Sequence, residues 1–217
     1  MNKEIDFETN LIISYGKFEI FLLDIKNYEN IYHEEFRFRE DTENLDFNLL
    51  SEFLENNIFK IEKLAGNFVN NINVVIENKS ILISNISIKK KNYSGEVNNV
   101  ILESMLTDIK DLFIESYNQH KLIHMIVNKY IIDGVSYSSL QSQTSNDEIC
   151  LEIKLISISN LTILEIEKIL KKYQIQVNDY LEKGYVKDFF LDNQIDISKM
   201  AHKLKNGMNH NEVRITS

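Results

Sequence analysis

The chain has 217 residues, 43% hydrophobic and 26% charged, the make-up of a folded globule rather than a disordered chain. Its net charge of −9 argues against a nucleic-acid partner, because duplex binding needs a basic face and the longest basic run is Lys89-Lys90-Lys91. The single cysteine, Cys150, excludes an internal disulfide and a cysteine-based metal site; without a signal-peptide core or a long apolar window, the expected compartment is the cytosol. Pro is absent while Asn, Ile and Lys abound. That bias belongs to AT-rich codons, so missing Pro carries no structural weight.

Residues Leu11–Leu23 read as two strands joined at or near Gly16, with Phe18, Ile20 and Leu22 alternating against Glu19 and Phe21. A third strand is predicted from Tyr28 to Phe38, with His33, Glu35, Arg37 and Arg39 on its wetter side, followed by a polar turn at Asp41–Asn44. Phe47, Leu50, Phe53 (or Leu54), Ile58 and Ile61 recur at helical steps, so Asp46–Lys63 is a helix, and Gly66 is placed to cap it. Ile72–Glu77 and Ile81–Ile88 are strands on either side of an Asn78-Lys79 turn. Ser94-Gly95-Glu96 leads into a helix from Val97 to Tyr117, with an apolar stripe of Val97, Val100, Ile101, Met105, Ile109, Leu112 and Phe113.

Lys121–Asp133 is a long β-prone run that stops at the Asp133-Gly134 turn signal, and Val135–Asp147 reads as a polar loop. A strand at Glu148–Ser157 precedes a helix at Thr162–Tyr173 opened by a Thr162-x-x-Glu165 capping box, and a short strand follows at Gln174–Val177. Asp179–Leu191 is ambiguous and reads as a short helix interrupted at Gly184. Ile197–Leu204 is a short helix closed by Asn206-Gly207, and Glu212–Thr216 is a last strand or a tail.

The run Ile123-His-Met-Ile-Val-Asn-Lys-Tyr130-Ile-Ile-Asp133-Gly134 resembles a signature of FtsA, the bacterial actin-like cell-division protein. In that family a hydrophobic strand with an early His runs to an aromatic, an aliphatic pair and Asp-Gly. The positions carrying the likeness are His124, Tyr130, Asp133 and Gly134, and it extends over roughly Leu11 to Val177. The resemblance implies an α/β (α+β) fold, a ribonuclease-H-like, actin-like half lobe with an inserted strand-helix-strand-strand subdomain of the SHS2 type. Residues 1–88 would form the first-lobe portion, 89–177 the inserted subdomain, and 178–217 a C-terminal helical return or tail.

The departures bear on chemistry. Actin-like ATPases place Asp-x-Gly-[Thr/Ser] in the first hairpin, where glycine admits phosphate and the carboxylate organises the metal's water shell. The matching place reads Ser14-Tyr15-Gly16-Lys17, a degenerate hairpin in which Ser14, Gly16 and Lys17 remain. The six glycines are never paired, Val127 stands at the signature's proline, and the chain stops where the second lobe would begin. The expectation is a pseudo-ATPase, with no catalytic residue, nucleotide, metal or other cofactor.

No nucleophile elbow or phosphate loop is present. Asp24, Glu34, Glu35 and Asp133 could be imagined as acid–base pairs, but charged pairs at strand edges are far more often solvated. His120 and His124 would lie roughly 13 Å apart on an extended strand, too far for one metal. His124 reads as a hydrogen-bonded core histidine, and Cys150 as a packed strand thiol. The resemblance implies a non-catalytic cell-division scaffold that meets division proteins, or itself, through the inserted subdomain at an exposed strand edge. Ile197, Met200, Ala201 and Leu204 share a helix face weakly like an interfacial anchor; core packing outweighs it, and membrane association at the inner face of the plasma membrane is at most peripheral. Two alternatives stand beside this reading: a pilus or secretion assembly protein of the PilM type, also actin-like, and an actin-like ATPase whose second lobe lies outside this chain.

Overall fold

A computed structural model describes residues 7–38, 45–91, 99–139, 148–190 and 195–213. The described elements are β1 (Phe7–Ser14), β2 (Lys17–Asp24), β3 (Glu29–Arg37), α1 (Phe47–Ala65), β4 (Asn71–Ile76), β5 (Ile81–Lys91), α2 (Asn99–Ser116), β6 (His120–Ile132) and β7 (Val135–Tyr137). They continue with β8 (Glu148–Ser159), α3 (Asn160–Lys171), β9 (Gln176–Glu182), α4 (Lys183–Phe189), α5 (Ile197–Lys205) and β10 (Glu212–Val213). The chain divides into two compact units: Met1–Ile81 with Leu161–Met208, and Leu82–Asn160 with Asn209–Ser217.

The first unit is built on a sheet of order β3-β2-β1-β4-β9. β1, β2 and β3 form an antiparallel meander, while β1, β4 and β9 run parallel. This is the ribonuclease-H-like arrangement expected of an actin-like lobe. The central strands are buried on both faces, which is why Leu11-Ile12-Ile13 and Val74-Val75-Ile76 are unbroken apolar runs rather than alternating ones. Helix α1 starts at Asp46, whose carboxylate accepts from the backbone N–H of Asn48 and Leu49. It ends at Gly66, held at φ 67°, the left-handed conformation that glycine adopts without strain. Leu50, Phe53, Leu54, Ile58 and Ile61 are its buried face, as the periodicity predicts.

Helix α5 is part of this unit's core. Met200, Ala201 and Leu204 are buried, Tyr28 Oη donates to the Lys199 carbonyl at 3.1 Å, and Ser198 Oγ donates to Asn30 Oδ1 at 2.9 Å. The face that resembled an interfacial anchor is therefore covered by protein. Among the described residues no helix is long and apolar enough to cross a membrane.

The second unit has the strand order β10-β6-β8-β5, with β7 paired to β6. Its core lies between this sheet and α2, where Leu102, Met105, Ile109 and Phe113 meet Met125, Val127, Tyr130, Leu151, Ile153 and Leu155.

Several expectations change. Val135–Tyr137 is a strand rather than the start of a loop, because Asp133 (φ 47°) and Gly134 (φ 83°) make a tight two-residue turn that folds β7 back on β6. β4 and β5 flank the Asn78-Lys79 turn without pairing; one joins each sheet. Helix α3 begins at Asn160, with Thr162 inside its first turn rather than at its cap, because the Asn160 N–H is bound to the Gln119 carbonyl at 2.9 Å. The strand expected at Gln174–Val177 is longer, Gln176–Glu182, because β9 has all of β4 to pair with. α3 and β9, expected within the inserted subdomain, belong to the first unit apart from Asn160. In α4, Gly184 lies in the first turn and interrupts nothing. The buried stripe of α2 takes in Leu102, while Val100 and Leu112 are exposed. The predicted turn Asp41–Asn44, the lead-in Ser94-Gly95-Glu96, residues 140–147 of the loop and the tail beyond Val213 lie outside the described residues.

Candidate functional site

In an open α/β sheet, ligands gather outside the carboxyl ends of the parallel strands. Here that edge is assembled by register. Ile13 of β1 pairs with Ile76 of β4, and Ile76 pairs with Glu182 of β9. The next residue on each strand is therefore Ser14, Glu77 and Lys183, three polar side chains brought side by side by a single row of the sheet. Lys183 Nζ donates to Ser14 Oγ at 2.7 Å and to Glu77 Oε2 at 2.6 Å. Ser14 and Lys183 are buried, and the Glu77 N–H is fixed by a 2.8 Å bond to the Ile13 carbonyl.

The hairpin between β1 and β2 closes over this row. Ser14 pairs with Lys17 across a two-residue turn, Tyr15-Gly16, in which Gly16 adopts φ 64°. Its carbonyl accepts from the Phe38 N–H at 2.9 Å, so the turn is tied to the end of β3. Lys17 reaches along the sheet: its Nζ lies 2.8 Å from Glu19 Oε2 and 3.1 Å from Glu35 Oε2. Burial works against the Lys17 charge, but hydrogen bonds to Glu19 and Glu35 outweigh it and raise its pKa. Arg37 Nε also donates to Glu35, and these two cations, Arg37 first, hold Glu35 down to about 2. Thus the hydroxyl and the ammonium of Ser14-Tyr15-Gly16-Lys17 both have protein partners.

The α4 helix holds Lys183 in place. Glu182 accepts from the N–H groups of Gly184 and Tyr185 at 2.7 and 2.5 Å, capping the turn on which Lys183 stands. A Cβ at Gly184 would lie 3.0 Å from Glu182 Oε1, so glycine gives the cap its room.

The positions that carry the family resemblance are in the second unit. His124 is buried, and its Nδ1 lies 2.6 Å from Glu212 Oε1, joining β6 to β10. Tyr130 packs in the core against α2, where burial raises its pKa. Asp133 Oδ1 accepts from the Glu148 N–H at 3.0 Å, and the Asp133 N–H donates to the Glu148 carbonyl at 3.1 Å, so Asp133-Gly134 locks the β6–β8 end. These positions are architectural. Asp24 closes the β2–β3 turn by accepting from Lys26 and Asn27, which lower its pKa, Asn27 first. Asp24, Glu35 and Asp133 are thus spent on separate local structures. Cys150 is half-buried on β8, and burial, ahead of Glu152, pushes its thiol pKa up.

Glu77 and Lys183 were not visible as site residues in the sequence, because strand order is a non-local property. A signal did exist: Ser14, Glu77 and Lys183 each follow an extended run at the point where the chain turns polar.

No protein family matches the chain, and no curated protein does. Solved structures do. A chain of a PilM–PilN type IV pilus biogenesis complex superposes with a TM-score of 0.51 at 7% identity, covering 84% of this chain and 49% of that one. The cytoplasmic domain of EpsL, an inner-membrane component of the type II secretion system of Vibrio cholerae, gives 0.45 at 9% identity over 83% of this chain and 58% of its own. A Bacteroides thetaiotaomicron protein with an actin-like ATPase fold and unknown function gives 0.39 at 12% identity over 85% and 56%. The chain thus spans about half the length of the first of these. The strand order of its first unit and the likeness to the PilM–PilN chain give it an actin-like fold.

Proposed function

We propose that this protein is a non-catalytic assembly adaptor of the PilM kind, acting by contact with components of a pilus or secretion apparatus. The observation that carries the proposal is the superposition on a chain of the PilM–PilN complex, which extends over 84% of this chain. The engaged hairpin supports the non-catalytic part. With Lys183 on Ser14 and Glu77, and Lys17 on Glu19 and Glu35, a nucleotide phosphate would have to displace three ion pairs to reach the turn. An adaptor needs a surface instead, and β5 is the terminal strand of its sheet among the described residues. Its exposed positions alternate, with Ile83 among them, so an extended segment of a partner could add there as a further strand.

A cell-division scaffold of the FtsA kind is the second reading. It is favoured by the Ile123–Gly134 signature, which runs along β6 into the β6–β7 turn. Crosslinking in the native cell followed by mass spectrometry separates the two. Pilus or secretion inner-membrane proteins bound in a manner lost with Ile83→Lys are the expected result. Division-ring proteins in their place would favour the second reading, and capture of neither would remove the adaptor role.

A further inference from the structure

The sheet of the second unit is completed by a segment from much later in the chain. β6 gives one edge to β8 along its length. The other edge is shared by β7, over Tyr130–Ile132, and β10, over Met125 and Ile126. The chain leaves α5 at Lys205, in the first unit, and enters the second at Asn209. There the Asn211 N–H donates to Asn209 Oδ1 at 3.0 Å and the Glu212 N–H to the Asn209 carbonyl at 3.1 Å, a turn that delivers β10 to β6.

Each contact on this segment reads a different chemical feature. The Asn211 carbonyl accepts from the Val127 N–H at 2.9 Å, which sets an extended backbone in register, and the Asn211 side-chain amide donates to the Ser138 carbonyl at 2.8 Å. Glu212 stands opposite Ile126 and reaches diagonally to His124, whose Nδ1 lies 2.6 Å from Glu212 Oε1. An ionised carboxylate only accepts, so Nδ1 carries the proton, and this imidazole is buried. Val213 points to the other face, against the core that contains Met125 and Val127.

His124 makes the edge selective. An occupant without a carboxylate at this place takes away the acceptor of a buried N–H, which weakens binding by roughly ten- to a hundredfold. Two paired residues, by contrast, hold a strand loosely, because such short end segments open far more readily than the whole fold. Losing β10 leaves α5 its own buried face of Met200, Ala201 and Leu204. We propose that this edge of β6 binds an extended segment of another protein, a glutamate followed by a β-branched aliphatic residue, and that Glu212-Val213 fills the place until that segment displaces it. A longer segment adds ladder bonds that a two-residue strand does not make, which offsets the advantage of a strand tethered in the same chain. The proposal concerns a different edge from β5 and does not rest on the adaptor reading.

Fluorescence anisotropy with a labelled, capped peptide of residues 209–216, Asn-His-Asn-Glu-Val-Arg-Ile-Thr, tests it on the full chain. The expected result is saturable binding to the unchanged chain, about tenfold tighter in Glu212→Ala/Val213→Ala, whose own strand competes less. Affinity should fall about tenfold when lysine replaces the glutamate of the peptide. No saturation in either chain, equal affinity in the two chains, or equal affinity of the two peptides would overturn the proposal. Should the variant fail to fold, hydrogen exchange in the unchanged chain decides: faster exchange of the Glu212 and Val213 amides at saturating peptide supports displacement, and unchanged rates overturn it. A mass that doubles with concentration, and reverts in the variant, would assign the edge to a second copy of this chain and overturn the reading of a separate partner.

Discussion

At the residue scale, Lys183 determines what the carboxyl edge of the first sheet can do. Its ammonium is buried between Ser14 and the half-exposed Glu77. Removing one partner strands the other, which costs more than the pair contributes. Glu77→Gln is expected to lower stability by about 1–2 kcal/mol, discounted for the exposure of Glu77, with urea denaturation as the measurement. A double change to Lys183→Met and Glu77→Leu, removing both charges, should cost less than the single one. Glu35 gives a pH signature. Its folded pKa of about 2 lies below its ordinary value of 4.5, so its contribution is present above pH 4.5 and is lost as pH falls towards 2. Glu35→Gln should flatten the acid limb of the stability profile in that window, and an unchanged limb would refute the Arg37–Glu35–Lys17 arrangement. Tyr180 acts at the other end: burial first, then Glu167, raises its pKa, so stability should fall above pH ~10 and Tyr180→Phe should blunt the fall. Of the residues in this edge, Ser14, Gly16 and Lys17 were legible because glycine at a hairpin has a local cause. Glu77 and Lys183 were not, since only the pairing of β4 with β9 brings them together.

At the element scale, periodicity gave α1 and its C-cap because a helix face and a left-handed glycine are both local. It misjudged α2 because three- and four-residue steps allow neighbouring stripes, and only the sheet beneath decides between them. Leu102 is the discriminating residue: it is buried, while Val100 is 74% exposed. Leu102→Ala is expected to cost about 2–3 kcal/mol and Val100→Ala no more than about 0.5 kcal/mol, read from thermal or chemical unfolding. Equal costs would return the helix to the stripe expected from sequence. The strand β7 went unseen for a different reason. Asp133-Gly134 was recognised as a turn, but the three residues of β7 are too few to show alternation.

At the scale of the molecule, the α/β class was legible in the order of apolar runs, and the actin-like lobe in a resemblance that proved coarser than its FtsA form. What sequence could not supply was the division of labour between sheets. The adjacent strands β4 and β5 enter different sheets, and α3 returns the chain to the first one. Such crossings follow from long-range pairing, which no window of residues contains. The same organisation brings Ser14, Glu77 and Lys183 together at one edge of the first unit's sheet. The central claim is that an actin-like lobe here serves contact rather than nucleotide chemistry. Calorimetric titration of the full chain with ATP and magnesium tests it most directly. The expected result is no saturable heat up to about 1 mM nucleotide, whereas magnesium-dependent binding with a Kd near 1–10 μM, about −7 to −8 kcal/mol, would contradict it.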